Sequence, residues 1–596
     1  MREYSTPLVV ALPSGGNLTD DVVRNAREAP DAVLFSRREQ DGWSDVSAAA
    51  FHDHVRATAK GLVAAGVQPG DRVALVSRTR YEWTVLDYAI WFAGAVTVPV
   101  YETSSAEQIR WILGDSDAQA VIVETADHLH RLQEVRDDLV ELHHVWSIDD
   151  GALDVLRTLG DDIGDDLLEA RRTAAGADDL ATLIYTSGTT GRAKGCALTH
   201  GNFLVESAVT TEELHQVFGT PDAATLLFLP LAHVFARVIQ VGCVRARVRL
   251  GHSADIRNLL EDLTAFRPTF ILAVPRIFEK VFNTASQTAV ADGRGRVFQR
   301  AADVAIAWSR ALDQGRPGLA VRAQHAVFDR LVYGRLRETL GGSCAWAISG
   351  GAPLGERLGH FYRGIGVVVL EGYGLTETTA AVTVNLPEAL RMGSVGRPLQ
   401  GTSVRVAEDG ELLFRGGQVF GGYWKDEVAT AEVLDAEGWL HTGDVGEVDA
   451  EGFVRITGRK KEILVTAGGK NVAPAVLEDR IRAHALVDQC MVVGDGRPFV
   501  AALVTIDPDA FAAWSRQRGR NGSIADHVAD PDLRAEVQQA VDEANRAVSK
   551  AEAVRKFAIL PGAWTEEGGQ LTPSLKLRRT VVMAECVDAV DALYAK

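Results

Sequence analysis

Between about Asp71 and Asp149, short apolar runs alternate with stretches whose apolar positions recur at helical spacing. The runs are "RVALVS", a helix around Trp83 to Phe92, "VTVPV", a helix from Ser105, "AVIVE", a further helix and "HHVWSI". Such alternation predicts parallel βα units. From Leu180 the theme continues in "ATLLFLPLA", "TFILAV" and "CAWAISG", buried strands that each end near small or polar residues. Ligands of open α/β sheets sit outside strand ends of this kind. Residues 276–342 change character to a long, mostly helical stretch studded with arginines, among them Arg294, Arg300, Arg310, Arg322 and Arg335. A solvated helical face accounts for it; the sharper alternative is a surface facing anions or a membrane. After Gly393, "SVRVAEDGELLFRG" and "GEVDAEGFVRITG" predict hairpins. The charged break "GRKKE", Gly458 to Glu462, marks a domain boundary, giving domains 1–459 and 460–596. Beyond it a helix begins near Pro474, a hairpin follows in "CMVVGDGRPFVAALVTI", and a polar helix starts at Pro531.

Length agrees with that division, because 596 residues exceed what one compact core holds. The net charge of −18 argues against nucleic acid as a partner, since phosphate backbones are bound by basic surfaces. It leaves room for a nucleotide, which needs only a local positive pocket. The five cysteines are scattered without C-x-x-C pairing, and no secretory leader is expected, so a reducing cytoplasm fits. No apolar run reaches the ~20 residues that span a bilayer. Composition leaves peripheral membrane contact open, and equally the choice between monomer and homodimer.

Candidate chemistry begins at "TLIYTSGTTGRAKG", Thr182 to Gly195, where glycines and hydroxyls follow an apolar strand and a lysine closes the run. Glycine backbone can approach an anion, free N–H groups can point inward, and hydroxyls with an ammonium complete a phosphate cradle. The spacing is not that of the common nucleotide P-loop. Taken alone, the stretch could equally be an exposed turn between strands. Four more stretches line up behind it: "SGGAPL" from Ser349, "EGYGLTET" from Glu371, "WLHTGD" from Trp439 with Arg459 after it, and the tail "LTPSLKLRRT" holding Lys576.

In this order the set resembles the adenylate-forming superfamily of acyl-CoA synthetases, firefly luciferases and nonribosomal-peptide adenylation domains, over nearly the whole chain. "LPLAHVFAR", "VPRIFEKV", the helical insert, "AGGKNVAP" and "LTPSLKLRR" are similar to its long-chain fatty acyl-CoA synthetase branch. The resemblance implies an α/β fold with a large N-terminal domain of layered sheets plus a β-barrel-like part, and a small mobile α+β C-terminal domain. It implies a ligase that joins a fatty acid to coenzyme A through an acyl-adenylate, using ATP and Mg²⁺.

By the same resemblance, Ser187, Gly188, Thr189, Thr190 and Lys194 would hold the β- and γ-phosphates. Thr186 and Glu377 would serve Mg²⁺, which prefers oxygen ligands and substrate phosphates. Thr376 would contact the α-phosphate, while Gly351, Ala352, Gly372 and Tyr373 would frame the adenine. Asp444 can accept hydrogen bonds from two neighbouring ribose hydroxyls, supported by Arg459. Lys576 would bring positive charge to the α-phosphate and carboxylate oxygens. His233 would lie beside the substrate carboxylate, Lys461 would be the hinge, and Gly468 and Gly469 would approach the pantetheine arm. Plainer readings are a turn cap for Glu377, a surface turn for Asp444, a packed histidine for His233 and a solvated tail lysine for Lys576. The loop departs from the common pattern at Arg192 and Ala193, whose side chains are expected to point outward. Rival functions are an acyl-AMP ligase serving a separate carrier protein, an aryl or short-chain acid ligase, and a non-catalytic lipid-binding relative.

Overall fold

Every residue of Val96–Val100 is buried, as a run apolar on both faces requires of a central parallel strand. It pairs in parallel with Arg72–Val76, which pairs in turn with Ala118–Val123, followed by His144–Ser147. Leu180–Thr186 joins the other side in parallel, and Lys194–Thr199 closes that edge antiparallel, completing a six-stranded sheet. The computed structural model describes all residues except 1, 14, 40–41, 187–191, 573–575 and 596.

A second sheet has nine strands, in the order Arg397–Pro398, Ala380–Val384, Val368–Leu375, Trp346–Ser349, Phe270–Ala273, Ala224–Leu227, Arg249–His252, Val33–Glu39 and Gly42–Ser47. The strands foreseen at "ATLLFLPLA", "TFILAV" and "CAWAISG" are its parallel centre. Helices lie between the two sheets. Tyr81–Phe92 is buried on all sides, and Val234–Ala246 nearly so, which is why neither shows a polar stripe. One apolar cluster unites them with Val73, Ile122 and Ala181 of the first sheet and Phe35, Leu227 and Leu272 of the second.

The insert forms helices Pro275–Ala291, Gly295–Asp313 and Leu319–Phe328. Their apolar face places Phe278, Phe282 and Phe298 against Phe361 and Tyr362. Arg294, Arg300, Arg310, Arg322 and Arg335 are exposed, the solvated face that the sequence suggests. The barrel-like part is a five-stranded antiparallel sheet of Glu3–Ser5, Ser403–Val406, Glu411–Arg415, Leu440–Val448 and Val454–Arg459. No pairing closes it among the described residues; its last strand instead bonds through Val454 to Val395 and Gly396, beside the edge of the nine-stranded sheet.

After Val472 the chain builds cores of its own. Leu477, Ile481, Phe511, Trp514 and Val537 pack on the sheet of Val487–Val493, Val500–Ile506 and Val554–Ile559. A smaller cluster joins Met491, Leu503 and Trp564 to the terminal helices. Among the described residues no helix is long and apolar enough to cross a membrane.

Candidate functional site

The pair Leu180–Thr186 and Lys194–Thr199 sets Thr186 directly opposite Lys194, so the two ends of the glycine-rich loop stand side by side. Ser187, Gly188, Thr189 and Thr190 lie outside the described residues. Lys194 Nζ is 5.2 Å from the centre of the Tyr423 ring. Arg192 is exposed and stacks on Trp111 at 4.6 Å. Ala193 differs from the expectation of an outward side chain: it packs against the apolar cluster that holds Leu183 and Tyr185, and its carbonyl accepts from Trp111 Nε1 at 2.8 Å.

Strand Val368–Leu375 ends in the single 3₁₀ turn Thr376–Thr378. Thr379 and Ala380 then take left-handed backbone angles, φ +51° and +84°. Such angles in residues with a Cβ cost on the order of 1–3 kcal/mol each and persist where neighbours over-determine them. Here Thr378 Oγ1 donates to Ala380 O at 2.9 Å and accepts from Leu375 N at 2.8 Å, while Thr379 Oγ1 donates to Gln418 O at 2.7 Å. The result aims Glu377 at Tyr423, whose hydroxyl donates to Oε1 at 2.7 Å. Oε2 makes no hydrogen bond among the described residues. Cys196 is buried beside Thr186. Its sulfur is 3.9 Å from Thr186 Oγ1, and burial, then Glu377, push the thiol well above its usual range.

Gly374 sits at a bulge in that strand, where a Cβ would stand 1.5 Å from the Ala380 carbonyl oxygen. Gly374→Ala should therefore destabilise the protein by about 3 kcal/mol, the upper end of overpacking costs, read as a lowered unfolding midpoint. An unchanged midpoint would mean that the turn yields freely.

The hairpin Leu440–Val448 and Val454–Arg459 places Asp444 directly opposite Arg459. Arg459 Nε donates to Asp444 Oδ1 at 2.8 Å, and Tyr373 hydroxyl donates to Oδ2 at 2.5 Å. Asp444 is 4% exposed, which rules out the surface-turn reading. Gly351, φ +83°, and Ala352 are exposed in the loop after Ser349. The Leu354 N–H behind them donates to Glu371 Oε1 at 3.0 Å, and burial lifts the Glu371 carboxyl to about 7. At Gly372 a Cβ would meet the Thr383 carbonyl at 3.0 Å, so the backbone there is tightly approached.

His233 caps the helix Val234–Ala246, its Nδ1 accepting from Phe235 N at 3.2 Å. Burial, and then the charge of Lys576, lower it to about 4, so the ring is neutral at pH 7. Lys576 is crowded by protein yet reached by solvent. Its own pKa is lowered, first by burial and then by Arg459, against the opposing pull of Asp444, Glu377 and Glu462. A lysine in a free tail would feel none of these groups.

Bonding partners change sides at Lys461. Arg459 holds Asp444, and Lys460 Nζ reaches Asp409 at 2.5 Å and Glu411 at 3.1 Å, all in the preceding sheet. Glu462 instead pairs with Arg579 of the tail at 3.4 Å. Lys461 between them is exposed, with no ion pair among the described residues. Gly468 and Gly469 are exposed in the loop between Leu464–Val465 and Asn471–Val472; the structure does not bring them to the cluster around Lys576.

A family model described as AMP-binding enzyme matches residues 22–424, and one described as AMP-binding enzyme C-terminal domain matches residues 461–596. The chain belongs to the AMP-binding enzyme family. It is 50% identical over 601 residues to the long-chain-fatty-acid–CoA ligase FadD15 of Mycobacterium tuberculosis, covering 100% of both chains. It is 30% identical to the peroxisomal long chain acyl-CoA synthetase 7 of Arabidopsis thaliana, over 98% of this chain and 87% of that one. Among solved structures, the A domain of carboxylic acid reductase from Segniliparus rugosus, in complex with AMP and a co-purified carboxylic acid, matches with TM-score 0.75. It is 22% identical, with 97% of this chain and 94% of that one covered.

In this AMP-binding enzyme the sequence did not point to Tyr423 or Glu371. Tyr423 lies in "GGYW", forty-six positions from Glu377, with no spacing to tie the two; only the bonded pair shows the link.

Proposed function

We propose that the chain is a long-chain fatty acid–CoA ligase that forms AMP and pyrophosphate by way of an acyl-adenylate. The observation that carries this reading is the identity of 50% to FadD15 across the full length of both chains, with Glu377, Asp444, Arg459 and Lys576 drawn to one place. A fatty carboxylate is a poor acyl donor because its leaving group would be oxide. Its oxygen attacks the α-phosphorus of ATP, the bond to pyrophosphate breaks, and the acyl group then sits on phosphate. The thiol of coenzyme A attacks the acyl carbon and AMP departs.

Bringing a carboxylate to a triphosphate sets like charges together, and the site answers with cations. Lys194, opposite Thr186, closes the stretch that would hold the β- and γ-phosphates. Lys576 sits where its ammonium offsets charge developing between carboxylate and α-phosphate. The burial that lowers its pKa would be outweighed by a bound triphosphate, whose charge favours the protonated form. Asp444, fixed by Tyr373 and Arg459, presents carboxylate oxygens to a ribose. Thr186 hydroxyl and the Glu377 carboxylate, whose Oε2 has no hydrogen bond among the described residues, suit Mg²⁺, a hard cation that keeps waters and binds one or two protein oxygens. Such an ion, when bound, would neutralise phosphate charge. Neutral His233, fixed as a helix cap, borders the carboxylate without carrying charge.

The thiol needs access to a carbon that Lys576 flanks, and the change of partners at Lys461 supports this residue as the hinge between domains 1–459 and 460–596. Lys461→Pro should impair thioester formation at least about tenfold more than adenylation, because a hinge absorbs backbone change. Equal loss in both steps would remove the hinge assignment.

Mass spectrometry of products tests the whole reading: protein, Mg²⁺ and ATP with fatty acids from short to long, each with and without coenzyme A. Acyl-CoA from the longer acids is expected. Acyl-AMP that never becomes a thioester would indicate delivery to a carrier protein, and absence of nucleotide turnover would indicate a binding protein.

A further inference from the structure

The first turn of the helix Pro275–Ala291 carries charge into the C-terminal part of the chain. Arg276 Nη2 donates to Asp488 Oδ1 at 2.6 Å, and the Asp488 side chain is 7% exposed. One turn on, burial raises the Glu279 carboxyl, against the opposing pull of Arg482 on the C-terminal side. Arg482 is itself paired with Asp479 on the helix Pro474–Arg482. The same helix holds the tail from its other side. Arg579 pairs with both oxygens of Glu478, and Glu478 Oε1 also accepts from Val492 N at 2.6 Å. Arg579 stands three residues after Lys576. Charged contacts thus tie Arg276 to the C-terminal part at Asp488, and tie the helix Pro474–Arg482 to the segment that carries Lys576.

We propose that Arg276 is a positioning residue, seating the C-terminal part through Asp488 in the orientation that brings Lys576 to the site. It is not among the residues assigned above to nucleotide or acid. Close charge pairs with one well-buried partner couple strongly enough to set an orientation, whereas exposed pairs do not; Asp488 is the buried partner here. The proposal rests on the two-step reaction above, and its effect falls on the step that needs Lys576.

The test separates the half-reactions in the full-length protein. Adenylation is read as exchange of labelled pyrophosphate into ATP, and the second step as conversion of supplied acyl-adenylate and coenzyme A to thioester. Arg276→Ala and Asp488→Asn should each lower adenylation about tenfold and leave the second step within about threefold of wild type. Exchanging the partners, Arg276→Asp with Asp488→Arg, should recover most of the lost adenylation. Normal adenylation in Arg276→Ala would overturn the proposal. So would equal loss in both steps that the exchanged pair does not recover, the signature of a merely structural contact. If wild type makes no acyl-adenylate from any acid, the function itself fails; that outcome is distinct from a wild type that reacts while its variants match it.

Discussion

Lys576→Ala is expected to lower the rate of acyl-adenylate formation by about 10²–10³, the usual loss when one preorganised charge is taken from a developing anion. Conversion of supplied acyl-adenylate to thioester should change by no more than a few fold, because the charge that Lys576 offsets is then already on the departing AMP. The structure supports so unequal an outcome. Arg459, Asp444 and Glu377 act on this ammonium, and the ammonium acts on His233, though they come from four separate stretches of chain. Arg459 cannot substitute, since its guanidinium is committed to Asp444 at 2.8 Å. Pyrophosphate exchange and single-turnover thioester formation, measured side by side, decide the matter. Equal adenylation by variant and wild type would displace Lys576 from its role.

Much of this arrangement is legible in the residues, for a physical reason. Parallel strands buried on both faces are apolar throughout, so "VTVPV" and "TFILAV" declare themselves, and the hairpins announce themselves through glycine turns. Glu377 and Asp444 are found another way, through the ordered set of motifs whose resemblance to a family implies their roles. What stays hidden is pairing across long separations. Nothing in "VPRIFEKV" indicates that its arginine meets Asp488, and nothing in "GGYW" indicates that its tyrosine steadies Glu377. Antiparallel order in the barrel-like part is readable from its hairpins, while the way its edge is covered by Val395 and Gly396 depends on where a separate sheet ends.

The largest effect on stability is expected at another such long-range pair. Asp87, on the helix Tyr81–Phe92, and Arg237, on Val234–Ala246, are both fully buried. Arg237 grips the carboxylate with two nitrogens, Nε at 3.0 Å from Oδ2, and its Nη1 donates to Thr182 Oγ1 at 2.6 Å. Thr97 Oγ1 donates to Asp87 Oδ1 at 2.8 Å. Trp83, Trp91 and Phe203 enclose the guanidinium. Threonines of the six-stranded sheet and a helix that follows a strand of the nine-stranded sheet therefore meet at one ion pair. Arg237→Ala should cost about 3–5 kcal/mol, because it strands a carboxylate in an apolar layer where the remaining donors cannot replace a bidentate cation. Asp87→Leu combined with Arg237→Met should cost far less, since apolar side chains of similar size need no compensating charge and Thr182 Oγ1 keeps its bond to Thr97 O at 2.7 Å. Thermal unfolding followed by the fluorescence of the eleven tryptophans, Trp83 and Trp91 among them, reads the loss. A single variant that melts with wild type would show that the layer admits water to the exposed carboxylate. A double variant as unstable as the single one would show that packing, not charge, is what Arg237 contributes. Adenylation by a stable double variant then reports on His233, whose carbonyl accepts from Arg237 N at 3.3 Å: retained activity means the apolar layer alone holds that helix start in register, and lost activity means the ion pair is kept for position rather than for stability.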